Sequence, residues 1–209
     1  MNGVINLSGG LDSICYSAIL QDRGYQLKAL IYNYGQQASS ETQIAKKICK
    51  KLRMNYELVD ISFMKELYGS SNNLTNNTIR ITDTSQNTIV PFRNAIFLSI
   101  AVAHAKSIGY DFVALGSHTD DTSHPDCSDY FLRNFEYCTK HTDNISILAP
   151  VLENLSKSDL INQGYKRLQD MIYETNSCYR NVNCGKCFSC YQRKEAFKSS
   201  MIQDKTNYG

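Results

Sequence analysis

Ser8-Gly9-Gly10-Leu11-Asp12-Ser13 is the stretch of this 209-residue sequence that decides its fold. It follows a short apolar run, Val4 to Leu7, and opens a segment, Ser13 to Arg23, whose apolar residues recur at helical spacing. Two glycines let a backbone approach a phosphate closely and point N–H groups at it, and the N-terminus of the next helix adds positive potential. The stretch therefore predicts a buried strand, a phosphate-binding loop and a helix. The competing interpretation is a tight turn in which Ser8 or Asp12 caps the helix.

This loop differs from the two most familiar nucleotide-binding loops. No Gly-Lys-Ser/Thr follows the glycines, and the third glycine of the dinucleotide fingerprint is missing. Ser8 and Ser13 offer hydroxyl donors to a phosphate, whereas Asp12 would repel a bare phosphate. Asp12 is useful there if it holds Mg²⁺ that the phosphates share.

The rest of the chain continues the alternation of strands and helices. Further strands are predicted at Leu27 to Tyr32, Tyr56 to Val59, Phe112 to Leu115 and Ile145 to Leu148. Helices are predicted around residues 39–53, at Ala95 to Ser107, Tyr130 to Lys140 and Ser156 to Arg167, and from near Tyr191. Gly69 to Asn77 and Thr82 to Thr88 are predicted loops. We expect an α/β fold with a parallel sheet of about five strands flanked by helices. Its domain with the phosphate-binding loop spans residues 1–170, and residues 171–209 form a helical, cysteine-rich segment packed on that domain.

Composition limits the classes of partner. The net charge is +2 and the sequence pI is about 8.0, which is too balanced for a protein that mainly grips nucleic acid. The basic run from Lys46 to Arg53 lies within the second predicted helix and is interpreted as a solvated face. No apolar stretch is long enough for a membrane span or a signal peptide, so we expect a cytoplasmic protein with reduced thiols. A sheet edge or the tyrosine-rich surface is compatible with a homodimer, but the sequence does not decide the oligomeric state.

Four of the eight cysteines have the spacing of a metal site. They are Cys178, Cys184, Cys187 and Cys190, and Gly185 and Lys186 form the turn between the second and third of them. This spacing predicts a closed, structural zinc site with four thiolates. The competing interpretation is an iron–sulfur cluster, but the expected Cys-x3-Cys-Pro continuation is absent. Cys15, Cys49 and Cys138 lie on predicted helices and are interpreted as small core side chains.

Two segments place polar side chains at the carboxyl ends of predicted strands or at the start of a buried helix. Tyr34-Gly35-Gln36 ends the second strand, where Gln36 either reads an amide-like base edge or is an exposed turn residue. Arg93 stands in the first turn of an apolar helix, where a cation opposes the helix dipole. It therefore calls for an anionic partner: a phosphate, a substrate carboxylate or a surface acid. Asn94 beside it is interpreted as a capping or bracing residue.

A polar loop follows Gly116, and three interpretations of it remain open: a metal site, the floor of a heterocycle pocket, and a purely structural loop. Its candidate residues are His118, Asp120, Asp121, His124, Asp126 and Cys127. No activated Cys/His pair is evident, so Cys127 is interpreted as a buried thiol rather than a nucleophile.

The loop Ser8–Ser13 resembles the signature of the PP-loop ATP pyrophosphatases, which cleave ATP between the α and β phosphates and transfer AMP to a substrate oxygen. The later segments, including Val90-Pro91-Phe92-Arg93-Asn94, Ser123-His124-Pro125-Asp126-Cys127 and the four C-terminal cysteines, resemble the 7-cyano-7-deazaguanine synthase family in the same order and over nearly the whole chain. That resemblance implies ATP-dependent conversion of 7-carboxy-7-deazaguanine and ammonia to an amide and then a nitrile, a carbon–nitrogen ligase reaction with structural Zn²⁺ and with Mg²⁺ bound to ATP. Ammonia would come from solution, because no glutaminase domain fits in this length.

The resemblance also implies site residues. The expected ATP-binding residues are Leu7, Ser8, Gly9, Gly10, Leu11, Asp12, Ser13, Tyr34 and Gln36. The expected substrate-binding residues are Arg93, Asn94, Asp121, His124, Asp126 and Cys127. Asp12, Ser13 and Arg93 are the expected catalytic residues.

The chain departs from the family pattern between Asp121 and Ser128. Where the family reads Asp-Tyr-Ser-Gly-Tyr-Pro-Asp-Cys-Arg, one residue is missing, an aromatic residue is replaced and the closing arginine is Ser128. The adenylation chemistry is therefore more firmly indicated than the acceptor.

Three hypotheses compete with the ordinary synthase. The first is a specialised paralogue that joins a deazaguanine to a different acceptor, such as a protein. The second is a different PP-loop enzyme such as a tRNA thiolase, and the third is a nucleotide-binding module without turnover. The modest charge argues against the thiolase, and Asp12 with Arg93 argues against the module.

Overall fold

The computed structural model describes residues 1–36, 40–68, 90–121, 124–178 and 182–209. A parallel sheet of five strands lies at its centre, with the order β3-β2-β1-β4-β5. The strands are β1 (Asn2–Asn6), β2 (Gln26–Asn33), β3 (Asn55–Asp60), β4 (Phe112–Ala114) and β5 (Ser146–Leu148). The predicted fold class and the approximate number of strands are therefore confirmed.

Seven α-helices connect or flank the strands in the described part of the chain. They are α1 (Leu11–Asp22), α2 (Ser40–Lys51), α3 (Met64–Tyr68), α4 (Arg93–Ser107), α5 (Asp129–Asp143), α6 (Lys157–Leu168) and α7 (Phe188–Ser200). Short 3-10 helices lie at Pro125–Cys127, Pro150–Glu153 and Gln169–Glu174. The loops predicted at Gly69 to Asn77 and Thr82 to Thr88 lie outside the described residues.

Apolar side chains alternate between the two faces of the sheet, as a strand that is covered on both sides requires. Ile5 of β1 faces one core, which is formed with α1, α2, α6 and α7. Val4 faces the other core, formed mainly with α4 and α5. Phe197 of α7 lies in the first core, so the C-terminal segment packs on the same body as the phosphate loop.

Local signals explain several helix ends. Ser156 caps α6 and forms a capping box with Asp159. Gly24 follows α1 with φ of +85°, a conformation that favours glycine at a helix C-terminus. Cys15 and Cys49 are buried, as predicted, but the prediction for Cys138 was wrong: this cysteine is exposed, because α5 is amphipathic and Cys138 lies on its outer face.

The order of the strands determines where the loops converge. β1 lies between β2 and β4, so strands β2 and β3 are added on one side of β1 and strands β4 and β5 on the other. In open α/β sheets, ligands bind in the crevice at the carboxyl ends of the strands where the order reverses. Among the described residues, no helix is long and apolar enough to cross a membrane.

Candidate active site

A cavity of about 260 Å³ lies at the carboxyl ends of β1, β2 and β4. Its wall includes the phosphate loop, Arg93 and Asn94 at the start of α4, the loop after β4, and Lys157 at the start of α6. Of the expected site residues, the wall contains Leu7, Ser8, Gly10, Leu11, Asp12, Ser13, Tyr34, Gln36, Arg93, Asn94, Asp121, His124 and Cys127. Segments that are far apart in the sequence thus meet around one space.

The phosphate loop is held by its own serines. Ser13 Oγ lies 3.2 Å from Ser8 Oγ, and the Gly10 N–H donates to Ser8 Oγ at 3.2 Å. Gly9 has φ of +80°, and a Cβ there would lie 2.3 Å from the carbonyl oxygen of Glu41, so only glycine fits. Gly10 is the N-cap of α1 and no side chain caps it, so the interpretation in which Ser8 or Asp12 caps this helix is wrong.

Asp12 lies at the centre of a charge cluster whose two positive partners, Lys157 and His118, are buried. Lys157 Nζ donates to its Oδ2 at 2.9 Å, and His118 Nε2 lies 3.7 Å from its Oδ1. Burial alone would raise the pKa of Asp12, but the positive partners outweigh burial and hold that pKa well below its usual range. Oδ1 is buried and has no hydrogen-bond partner among the described residues.

His118 and Lys157 belong to the same cluster. The Asp120 N–H donates to His118 Nδ1 at 3.2 Å, which leaves the ring proton on Nε2 facing Asp12. Burial opposes the charged form of both side chains, yet the Asp12 carboxylate outweighs burial and raises the pKa of each. Sequence reasoning missed Lys157. The signal that singled out Arg93 also applies to it, because Lys157 is the first residue of α6 and a cation there opposes the helix dipole.

Arg93 lines the cavity from the start of α4 and packs against Tyr34. Its guanidinium carbon lies 5.7 Å from the centre of the Tyr34 ring, and Nη1 lies 3.4 Å from the Tyr34 hydroxyl. Gln36 lines the same wall, but its side chain bonds within its own turn: Oε1 accepts from the Tyr34 N–H at 2.9 Å and Nε2 donates to the Tyr32 carbonyl at 3.1 Å. Gln36 therefore holds the end of β2 in shape.

Asn94, Asp126 and Cys127 form a second hydrogen-bonded group. The Asp126 carboxylate accepts from the Asn94 backbone N–H at 2.8 Å and so satisfies a free donor at the start of α4. The Asn94 side chain donates to Cys127 Sγ at 3.0 Å. Burial raises the pKa of Cys127 to about 12, so it remains a thiol at neutral pH. Asp126 is itself buried, and its contacts brace Asn94.

The divergent loop after β4 is described except for residues 122 and 123. His124 Nδ1 lies 3.8 Å from Asp121 Oδ1, and both residues line the cavity. Burial lowers the pKa of His124 despite the nearby Asp121. Ser128, at a position where the sequence is expected to depart from the family pattern, caps α5 by accepting from the Phe131 N–H at 3.2 Å.

Glu41, in the first turn of α2, is a further carboxylate of the cavity wall that sequence reasoning missed. Burial raises the pKa of Glu41 to about 7, although Arg93 opposes the shift. No motif in the sequence separates this glutamate from the solvated residues of its helix.

The four C-terminal cysteines come together beside the cavity. The Cys178 sulfur lies 3.6 Å from that of Cys184 and 3.7 Å from that of Cys187. All four sulfurs, including that of Cys190, lie within 4.8 Å of one another, a grouping that fits a metal ion. Cys187 also lines the cavity, so the metal site and the phosphate loop are neighbours.

Comparison with known proteins identifies the family of this chain. The family model for the queuosine biosynthesis protein QueC matches residues 2–201. The chain is 32% identical to the 7-cyano-7-deazaguanine synthase of Psychromonas ingrahamii over 98% of this chain and 96% of that protein. It is 34% identical to the corresponding synthase of Caldicellulosiruptor bescii over 100% of this chain and 97% of that protein.

A solved structure shares the fold at lower sequence identity. The U34-tRNA thiolase NcsA from Methanococcus maripaludis, determined with its [4Fe-4S] cluster, superposes with a TM-score of 0.56 at 18% identity. The match covers 96% of this chain and 67% of that one. At this identity the likeness concerns the fold alone, whereas the family match and the two relatives extend over almost the whole chain. The chain therefore belongs to the QueC family of queuosine biosynthesis proteins.

Proposed function

We propose that this chain is a 7-cyano-7-deazaguanine synthase, which uses ATP to convert 7-carboxy-7-deazaguanine and ammonia to the amide and then to the nitrile. The observation that carries the proposal is the shared cavity. A phosphate loop with Asp12 and Lys157 forms one part of its wall, and Arg93 at the start of a buried helix forms another. Such a cavity suits a reaction between a nucleoside triphosphate and a carboxylate.

The first step is adenylation of the acid. A substrate carboxylate oxygen attacks the α-phosphorus of ATP, the bond to the bridging oxygen breaks, and pyrophosphate leaves. Negative charge grows on the leaving group, where the N–H groups of the phosphate loop and the ammonium of Lys157 stabilise it. Arg93 holds the carboxylate, since its guanidinium pairs with two oxygens at once.

Magnesium fits this site because Asp12 Oδ1 is a buried carboxylate oxygen without a hydrogen-bond partner among the described residues. Asp12 would hold the ion, which neutralises charge on the phosphates when bound. The other oxygen of the Asp12 carboxylate, Oδ2, keeps its hydrogen bond from Lys157, which orients the carboxylate. Ser13 keeps Ser8 and the loop in place through its hydroxyl.

The second half of the reaction releases AMP. Ammonia attacks the carbonyl carbon of the acyl adenylate, AMP departs, and loss of a proton leaves the amide. A second ATP activates the amide oxygen in the same manner with release of pyrophosphate, and loss of AMP and of both protons from nitrogen yields the nitrile. This scheme needs no covalent bond to Cys127, whose sulfur accepts a hydrogen bond from the Asn94 side chain.

The cysteine cluster is proposed to hold one zinc ion. Four Zn–S bonds of about 2.3 Å in a tetrahedron require sulfurs about 3.8 Å apart. The two sulfur–sulfur distances from Cys178, 3.6 and 3.7 Å, fit this arrangement. A four-iron cluster binds a different iron through each thiolate and therefore needs the sulfurs further apart. Elemental analysis should find about one zinc per chain in a colourless protein; iron with a brown colour would overturn this assignment.

The test of function supplies ATP, ammonia and 7-carboxy-7-deazaguanine and follows pyrophosphate, AMP and the mass of the base. Asp12→Asn and Ser13→Ala should each lower the rate of pyrophosphate release about 10²–10³-fold, far more than they impair folding. Asp170→Asn, at a side chain that is 80% exposed, is the matched control and should react like the unaltered protein. Unchanged rates in Asp12→Asn and Ser13→Ala would remove both residues from the mechanism.

The acceptor needs its own test because Ser128 caps α5 where the family has an arginine. In the ordinary synthase, His124→Ala should weaken binding of the free acid, since Arg93 and His124 then carry its recognition. In a specialised paralogue that shares the adenylation chemistry, the free nitrile should form slowly and a deazaguanine adduct should appear on a supplied partner protein. Full turnover of the free acid that is insensitive to His124→Ala would contradict both.

A further inference from the structure

The phosphate loop is bonded directly to the segment that leads into the cysteine cluster. The Asn176 backbone N–H donates to the Gly9 carbonyl at 3.1 Å. A Cβ added to Gly10 would lie 3.5 Å from the Asn176 carbonyl oxygen, so the two backbones are also in close contact. Asn176 is 3% exposed and lines the cavity, which places this link between the nucleotide space and the C-terminal segment.

The Asn176 side chain continues this link to a cysteine of the cluster. Its Oδ1 accepts from the Cys178 backbone N–H at 3.0 Å, two residues further on. This local turn fixes the path of the chain between Asn176, which bonds to Gly9, and Cys178, the first of the four cysteines. Gly9, Asn176 and Cys178 therefore form a continuous hydrogen-bonded path from the phosphate loop to the cluster.

Two other buried side chains hold the same segment from the opposite side. Arg193 is fully buried on α7 and donates to Thr175 Oγ1 at 2.8 Å and to Ser177 Oγ at 3.0 Å. Asn183 accepts from the Ser177 N–H and donates to the Thr175 carbonyl, each at 3.0 Å. Asn183 lies between Cys178 and Cys184, and Arg193 lies one turn after Cys190. Asn183 and Arg193 therefore both belong to the segment that the four cysteines hold together.

We propose that Asn176 is a positioning residue that couples the metal-bound state of the cysteine cluster to the shape of the phosphate loop, and thereby to nucleotide affinity. A bound metal ties Cys178 to the turn at Cys184 and to the start of α7. That closure holds residues 175–178 in the path that presents the Asn176 N–H to Gly9. Without the bound metal, the Gly9 carbonyl loses its hydrogen bond from the Asn176 N–H, and the glycine-rich backbone samples other conformations.

The coupling explains why the metal site lies beside the cavity. A structural metal on a remote surface would stabilise the fold without changing ligand binding. Here Ser177, Cys187 and Gln192 line the same cavity as Gly10, so one closed thiolate site organises both the wall and the loop. The ligand, ATP, is taken from the proposed function; the coupling itself concerns only this chain.

The first test removes the metal from the full chain with a chelator and follows backbone hydrogen exchange without nucleotide. Exchange of the peptide covering residues 8–11 should accelerate, while that of α5, which lies on the other face of the sheet, should not. This readout does not depend on which reaction the enzyme catalyses. Equal protection of the phosphate loop with and without metal would overturn the proposal.

The second test keeps the metal and removes the side-chain part of the link, the bond from the Cys178 N–H to Asn176 Oδ1. Asn176→Ala should retain the metal content, yet speed exchange of residues 8–11 and weaken binding of α,β-methylene ATP with Mg²⁺ about tenfold. Asn176→Ser keeps an oxygen acceptor for the Cys178 N–H and should bind within about threefold of the unaltered protein, since serine forms the same local turn. Asn134→Ala, at an exposed asparagine of α5, is the control.

These variants decide the question even where the metal-free chain unfolds. Asn176→Ala with unchanged loop exchange and unchanged affinity for the analogue would refute the coupling. An unaltered protein that binds no nucleotide would count against the proposed function, and the exchange of residues 8–11 in Asn176→Ala would still confirm or refute the coupling.

Discussion

The ion pair between Lys157 and Asp12 offers the most decisive single perturbation. Lys157→Met keeps the length of the side chain and its packing but removes the ammonium that lies 2.9 Å from Asp12 Oδ2. Breaking one partner of a buried pair costs about 3–5 kcal/mol, because the other charge stays buried without compensation. His118 remains near Asp12 and the Asp12 side chain is 29% exposed, so we expect the lower end, about 3 kcal/mol.

Urea unfolding of three variants separates this cost from other effects. Asp12→Asn combined with Lys157→Met removes both charges and should recover most of the lost stability, although pyrophosphate release stays low. Lys51→Met is the matched control: Lys51 pairs with Glu174 at 2.8 Å on the surface, where an ion pair contributes less than about 1 kcal/mol. A stable Lys157→Met, or a double variant that is no more stable than Lys157→Met, would refute the buried-pair argument.

The pH dependence provides a second check on the same variant. The pKa of Asp12 is depressed in the folded protein, so the stability it contributes is present above the ordinary carboxyl pKa and is lost as the pH falls through the folded value. In Lys157→Met the Asp12 carboxylate accepts a proton more readily and becomes neutral. The stability gap between the two proteins should therefore narrow as the pH falls from about 7 to about 4; a constant gap would contradict this assignment.

Two further predictions concern carboxylates of the site. Burial raises the pKa of Glu41 to about 7, so the folded state binds this proton more tightly than the unfolded state, and stability should fall as the pH rises through the range between the ordinary carboxyl value and about 7. Glu41→Gln should remove that fall in stability and unfold at a higher urea concentration than the unaltered protein at pH 8. If the stability of Glu41→Gln changes between about pH 5 and pH 8 as it does in the unaltered protein, the fall does not come from Glu41. Asp126→Ala removes the acceptor for the Asn94 N–H at the start of α4 and should cost about 1–2 kcal/mol in urea unfolding, whereas Asp126→Asn keeps an acceptor oxygen and should cost less. Equal losses in the two Asp126 variants would show that the helix-capping bond is not the cause.

The sequence alone predicted the features that depend on local patterns. Strand and helix positions follow from the period of apolar residues, which one segment displays by itself. The helix predicted from Ala95 begins at Arg93 in the structure, and the last helix begins at Phe188 rather than near Tyr191. These shifts arise because helix ends are set by caps and neighbouring segments more than by periodicity. The prediction for Cys138 failed because a cysteine on a helix has no signal that separates the inner face from the outer one.

What the sequence by itself determined is the class of site: a glycine-rich phosphate loop after the first strand, a cation at the start of a buried helix, and four cysteines at metal-binding spacing. Only the tertiary structure brought Lys157 to Asp12, placed Glu41 on the cavity wall, and turned Gln36 and Asp126 toward backbone partners. Only the tertiary structure joined Asn176 to Gly9, which lies at the other end of the chain. The physical reason is that motifs report conformations within a few residues, whereas the partner of a buried charge or backbone group depends on how the parallel strands and their crossover helices pack.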